Sequence, residues 1–132
     1  MAQRGARNSE RGMEEEASKD LGKRTKAFAL RAIKLASALP DTAVGRVIKT
    51  PLVKSGTSAG ANYRAAKRAK SRADFIAKLG IVEEEVDESM YWIELIGDAG
   101  LLPKSRLTAI YQEADQILAM VVASITTAKK SK

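Results

Sequence analysis

The stretch SRADFIAKLGIVEEEVDESMYWIELIGDAG, Ser71 to Gly100, decides the fold. Phe75, Leu79, Val82, Val86, Ser89, Ile93 and Ile96 recur at alternating steps of four and three, which places them on one narrow stripe of an α-helix. Ser71 with Asp74 three residues on is a variant of the capping box, which satisfies the free N–H groups of a helix start. Gly100 can turn left-handed just past a helix end. The acids Glu83, Glu84, Glu85, Asp87, Glu88, Glu94 and Asp98 flank the stripe, while Ile81, Trp92 and Leu95 form a second apolar strip. A helix over about residues 71–99 follows.

The flanking segments read the same way. Leu21, Thr25, Phe28, Ala32, Leu35 and Leu39 form a heptad-like seam, and Pro40 stops it because the residue before a proline is pushed out of helical geometry. Asp41 or Thr42 can cap the next helix. Thr50-Pro51 predicts an interruption or kink within it. Beyond that point Leu52, Ser55, Ala59, Asn62 and Ala66 share one side, and most are small. Gly56 and Gly60 lie a turn apart; helical glycine costs about 1 kcal/mol relative to alanine, which close approach of a neighbouring helix would offset. After Gly100 to Pro103 the last helix carries two seams, Leu107-Ile110-Ala114-Ile117-Val121 and Tyr111-Ala114-Leu118-Val121-Ile125.

The predicted fold is all-α: an antiparallel up-down four-helix bundle over residues 21–132, with helices at about 21–39, 42–69, 71–99 and 103–128. Residues 1–20 hold only Met1, Ala2, Ala6, Met13 and Ala17 as apolar residues, too few to offset ordering entropy. They are expected to be a disordered N-terminal tail. The apolar residues off the seams exceed what one bundle core needs. Leu30, Ile33, Ile81, Trp92, Leu95, Leu118 and Val122 are therefore expected at a homo-oligomer interface.

Composition narrows the functional classes. With no Cys and no His among 132 residues, the chain lacks thiolate ligands, the commonest metal ligand and the commonest general base. Absence of Cys is compatible with a reducing cytoplasm, the expected location. No apolar leader opens the chain, and its longest apolar run, Ile117 to Ala123, is too short to span a bilayer. Gly56-Thr57-Ser58-Ala59-Gly60 matches G-x-S-x-G, but a nucleophile elbow needs a strand before it and a histidine partner. Helix-packing glycines fit better. The acids of the third helix flank its seam instead of pointing into a core, so they read as a solvated or ion-paired face and not as a metal site. No catalytic residue, metal or cofactor is expected.

Charge is the remaining signal. From Leu21 to Ala73 there are thirteen Lys or Arg and one acid, Asp41; from Asp74 to Asp98 there are eight acids and one base, Lys78. On a helical wheel Lys54, Arg64, Lys67, Arg68 and Arg72 fall opposite the small residues, with Lys70 beside them. Positioned Lys and Arg are what phosphate contacts require. Only Tyr63 lies among them, so no stacking platform for single strands is indicated, and no helix-turn-helix or zinc-finger pattern reads bases. The competing reading pairs these cations with the acidic helix, within a protomer or across an interface.

The segments LVKSGTSAGANYRAA (residues 52–66), RAKSRADFIAKLGIV (residues 68–82) and DESMYWIEL (residues 87–95) resemble the four-helix-bundle proteins of the 23S ribosomal RNA intervening-sequence family. That family is similar in fold to the accessory variability determinant of diversity-generating retroelements. The resemblance implies a small bundle assembled into a ring of five, without enzymatic activity. The retroelement relatives imply nucleic acid and a reverse transcriptase as partners of a basic surface. Ala65 and Pro51 stand where the family often has Glu and Gln. The reading is a non-enzymatic homo-oligomer, a pentamer being favoured, that binds RNA or another nucleic acid through Lys54, Arg64, Lys67, Arg68, Lys70 and Arg72. The alternative is a scaffold whose basic face docks a protein, such as a reverse transcriptase.

Overall fold

A computed structural model describes the backbone of residues 2–131 and the side chains of residues 20–131. Helix α1 spans Ala2–Ala38, α2 Ala43–Lys67, α3 Arg72–Asp98 and α4 Thr108–Lys130, with a single 3-10 turn at Lys104–Arg106. Neighbours in sequence are neighbours in space: α2 packs on α1 and α3, α4 packs on α3, and α4 closes more lightly on α1. Every adjacent pair is antiparallel. Gly22 faces Tyr63 while Gly56 faces Ala32, Ser89 bonds Ser55, and Tyr111 of α4 reaches Glu94 of α3. The expected four-helix bundle is what the chain forms. The tail expected over residues 1–20 lies outside the described side chains apart from Asp20, and its backbone continues α1 back to Ala2.

Local chemistry sets the helix ends. Thr42, not Asp41, caps α2: its hydroxyl accepts the Gly45 N–H at 3.1 Å. Asp41 instead pairs with Arg46 at 3.5 Å. Gly45 is required by crowding, since a Cβ there would sit 2.0 Å from the Pro40 carbonyl oxygen. Ser71 caps α3 by accepting the Asp74 N–H at 3.0 Å, and the Asp74 carboxylate accepts the Lys70 N–H at 3.4 Å. At the other end Gly100 takes φ 69°, with Leu101 N–H on Ile96 O and Gly100 N–H on Gly97 O, a Schellman motif.

Of the two outcomes expected at Pro51, the interruption does not occur: Pro51 lies inside a continuous Ala43–Lys67 helix. Proline removes the N–H that would bond the carbonyl four residues back. That carbonyl belongs to Val47, which is 70% exposed, so water can take the missing donor's place.

The core follows the seams. Leu21, Thr25, Phe28, Ala32, Leu35 and Leu39 are all buried, as are Leu79, Val82, Val86, Ser89, Ile93 and Ile96, while Phe75 is half-buried. On α4 the Leu107–Val121 seam is buried, and Tyr111, Leu118 and Ile125 pack against it half-buried. The inner face of α2 is the tightest. Ser55 and Ser89 are fully buried and share a hydroxyl hydrogen bond of 2.9 Å, so neither polar group is left unsatisfied. A Cβ on Gly56 would lie 2.5 Å from the Ala32 methyl, and one on Gly60 would lie 3.3 Å from the Thr25 carbonyl oxygen.

One polar clamp joins the first helix to the last. Arg24 donates to both carboxylate oxygens of Glu113, at 2.8 and 3.0 Å, and to Gln116 at 2.6 Å. Its third nitrogen reaches the Met120 sulfur at 3.1 Å. The Arg24 hydrogen bonds hold the Glu113 carboxyl below the usual carboxylate range and raise the guanidinium above its own. Both side chains are about three-quarters shielded from water, so the pair is worth more than a surface ion pair.

Two outcomes are expected. Gly56→Ala should destabilise the bundle by about 1–3 kcal/mol, because neither methyl can rotate away; urea unfolding followed by circular dichroism reads this. Adding Ala32→Gly should recover part of the loss, and an unchanged midpoint for Gly56→Ala would contradict the close approach. Glu113→Gln should cost about 1–2 kcal/mol at neutral pH. A depressed native pKa contributes stability above the unfolded-state value that disappears as pH falls through the native one. The gap between variant and wild type should therefore close in acid; a gap that persists at pH values below the native pKa of Glu113 would show that its charge is not involved.

Candidate nucleic-acid interface

The cations of α2 face outward because its inner positions are taken. Ala59, Tyr63 and Ala66 point into the core, which leaves Arg64, Lys67 and Arg68 on the solvent side. Tyr63, which the sequence places among the cations, is 4% exposed and belongs to the core.

Two adjoining depressions collect the charge. The first is an open groove of about 580 Å³ between α1 and α2, walled by Lys26, Arg64, Lys67 and Arg68 over a floor of Gly22, Thr25 and Gly60. The close approach at Gly60 brings the two walls together. The second lies at the α2–α3 turn, where Arg64 and Arg68 meet Lys70, Asp74 and Lys78. Arg64 and Arg68 line both. Asp74, the one acid there, is engaged locally: it receives the Lys78 ammonium at 2.6 Å and the Lys70 N–H, and the Lys78 bond holds its carboxyl below the usual range.

Among the described residues no carboxylate lies within 4.0 Å of the side-chain nitrogens of Lys54, Arg64, Lys67, Arg68, Lys70 or Arg72; the five ion pairs are formed by Arg24 (two), Arg46, Lys78 and Lys104. The structure therefore brings together Arg64, Lys67, Arg68 and Lys70. Arg72 is exposed just past the turn and lines neither depression. Lys54 stands ten residues before Arg64, about 15 Å along the helix, and lies in the field of Glu85 on α3. Two cations beyond those six join them: Lys26 from α1 across the helix boundary, and Lys78 one helical turn beyond Asp74. The i,i+4 spacing to Asp74 was the only available signal for Lys78.

The acidic helix faces elsewhere. Glu94 accepts the Tyr111 hydroxyl at 2.9 Å, which raises the phenol pKa, and Glu88 accepts the Trp92 N–H at 3.3 Å. Glu85 is raised, chiefly by partial burial and then by Glu88. Among the described residues no three acids are grouped as a metal site. Ser58 lies mid-helix with its carbonyl accepting from Asn62 at 2.9 Å, so the G-x-S-x-G match is a helical segment with packing glycines. None of the described helices is long and apolar enough to cross a membrane.

No curated protein sequence matches the chain. Among solved structures it is similar to a protein of unknown function from the S23 ribosomal protein family of Bacteroides thetaiotaomicron VPI-5482, at 31% identity and TM-score 0.79, covering 83% of this chain and 98% of that one. Residues 19–123 match the family model described as 23S rRNA-intervening sequence protein. Helix pattern, bundle and alignment agree, and the chain belongs to the 23S rRNA-intervening sequence protein family.

Proposed function

We propose that the chain is a non-enzymatic, homo-oligomeric cytoplasmic bundle that binds nucleic acid, RNA in particular, along the groove of Lys26, Arg64, Lys67 and Arg68 and the adjoining Lys70. The observation that carries this reading is that these cations converge and that, among the described residues, none has a carboxylate partner within ion-pair distance. A field of unpaired cations on a rigid helical surface attracts a polyanion and releases its counterions. The family name, which refers to ribosomal RNA, points the same way. Lys54 and Arg72 extend the contact at its edges.

The surface favours a structured backbone over unstacked bases. Tyr63 is buried, and the exposed Tyr91, edge-on to Trp92, stands on acidic α3 away from the cations. Stacking and phosphate contact therefore do not coincide, as single-strand binding requires. Recognition by charge and shape is what remains, without base reading.

Affinity for a duplex should fall with salt, by about 0.9 in log K per log unit of salt for each neutralised phosphate. Arg64→Glu, Lys67→Glu and Arg68→Glu together should lower affinity at least about tenfold and reduce the salt slope by about three. Filter binding across a salt series, with the native mass measured in parallel, reads both. Loss of binding with an intact assembly supports the proposal. An assembly that falls apart would identify the cations as contacts between protein surfaces, and a wild-type chain without salt-sensitive binding to any polynucleotide removes the reading.

A further inference from the structure

Helix α1 borders α2 on one side and α4 on the other. The groove described above lies on its α2 side. On the α4 side a smaller depression, about 150 Å³, is lined by Arg31, Lys34, Leu35, Arg106 and Ile110. It shares no residue with the groove. Leu35 and Ile110 are buried and belong to the core, so its apolar lining is fixed. Arg31 and Lys34 stand one helical turn apart on α1, both exposed. Arg106 comes from the 3-10 turn, whose backbone is pinned. The Arg106 N–H donates to Pro103 O at 3.0 Å, the Leu107 N–H to Lys104 O at 2.9 Å, and the Thr108 hydroxyl to the same carbonyl at 3.1 Å.

Three cations line this depression and no acid does. Among the described residues none of the three forms an ion pair. Glu113, in whose field Arg31 lies, has both carboxylate oxygens engaged by Arg24. Like charges gathered in this way repel one another, and an anion placed between them relieves the repulsion. From this arrangement we infer that Arg31, Lys34 and Arg106 form a second phosphate site, which holds one phosphate of the nucleic-acid backbone while the groove holds others. The inference rests on the nucleic-acid reading above and adds a contact on the far side of α1. Two guanidinium forks and an ammonium suit the oxygens of a phosphate. Sites for whole small molecules run roughly 300–1,000 Å³, so this one admits a phosphate group and excludes a base. Lys34 follows Lys26 of the groove by eight residues, about 12 Å along the helix. A backbone held at both sites therefore crosses α1 obliquely.

Two measurements on the full chain test this. Inorganic phosphate is titrated at constant ionic strength, with chloride as the balancing anion, and backbone amide shifts are followed by NMR. Saturable shifts at residues 31–35 and 106–110 that vanish in the double variant Arg31→Gln with Arg106→Gln support the site. No shift there, or shifts that do not saturate or that survive in the double variant, overturn it. Both substitutions fall on exposed side chains, so circular dichroism should show the fold retained. The second measurement is filter binding of duplex RNA across a salt series. The double variant should reduce the salt slope by about one, and combined with Arg64→Glu, Lys67→Glu and Arg68→Glu it should reduce the slope by about four. An unchanged slope in the double variant, beside saturable phosphate binding, overturns the backbone as the source and leaves a site for free phosphate. A wild type without salt-sensitive binding removes the backbone as ligand together with the reading above, and the phosphate titration then decides the site alone.

Discussion

The bundle depends on how closely α2 approaches its neighbours. Gly56 against Ala32, Gly60 against the Thr25 backbone, and the buried Ser55–Ser89 pair leave no room for long side chains between these helices. Small residues contribute little transfer free energy each, but they let backbones pack at native density over a long contact. With the inner face of α2 occupied by Leu52, Ser55, Ala59, Tyr63 and Ala66, its bases are confined to the outside. The basic groove is thus a by-product of tight packing: the same glycine that draws α1 in forms its floor.

Electrostatic partnership divides the cations into two groups. Arg24, Arg46, Lys78 and Lys104 are committed to acids and serve the fold, as a clamp between α1 and α4 or as local pairs at helix ends. Arg64, Lys67, Arg68 and Lys70 have no such partner among the described residues. Segregation of charge along the chain suggests neutralisation of the basic helices by the acidic one. The bundle prevents most of it by turning the outer faces of α2 and α3 in different directions. Lys54, near Glu85, is the exception.

Much of this was legible in the sequence, because it is written in local periodicity. The seams on α1, α3 and α4, the Ser71 cap and the Gly100 turn need only neighbours a few residues away. What escaped depends on tertiary context. Residue pairs far apart in sequence, such as Arg24 with Glu113, leave no trace in a single chain. Burial of Tyr63 is set by α1 lying across it at Gly22. Continuity through Pro51 is possible because Val47 faces water, which spacing alone does not specify. Trp92 and Leu118, taken as surplus apolar residues, pack partly against the core, whereas Leu30, Ile33, Ile81 and Val122 stand out from it.

The antiparallel topology also distributes charge lengthwise. The α2–α3 turn, with Arg68, Lys70 and Arg72, shares one pole of the bundle with the C-terminal turn of α4 and its Lys129 and Lys130. At the opposite pole Asp41 balances Arg46 and Asp98 balances Lys104. Among the described residues the first pole carries more uncompensated positive charge than the second, and such an asymmetry exerts a torque in the field of any polyanion. The torque acts at a distance and fades once ionic screening is shorter than the rod itself.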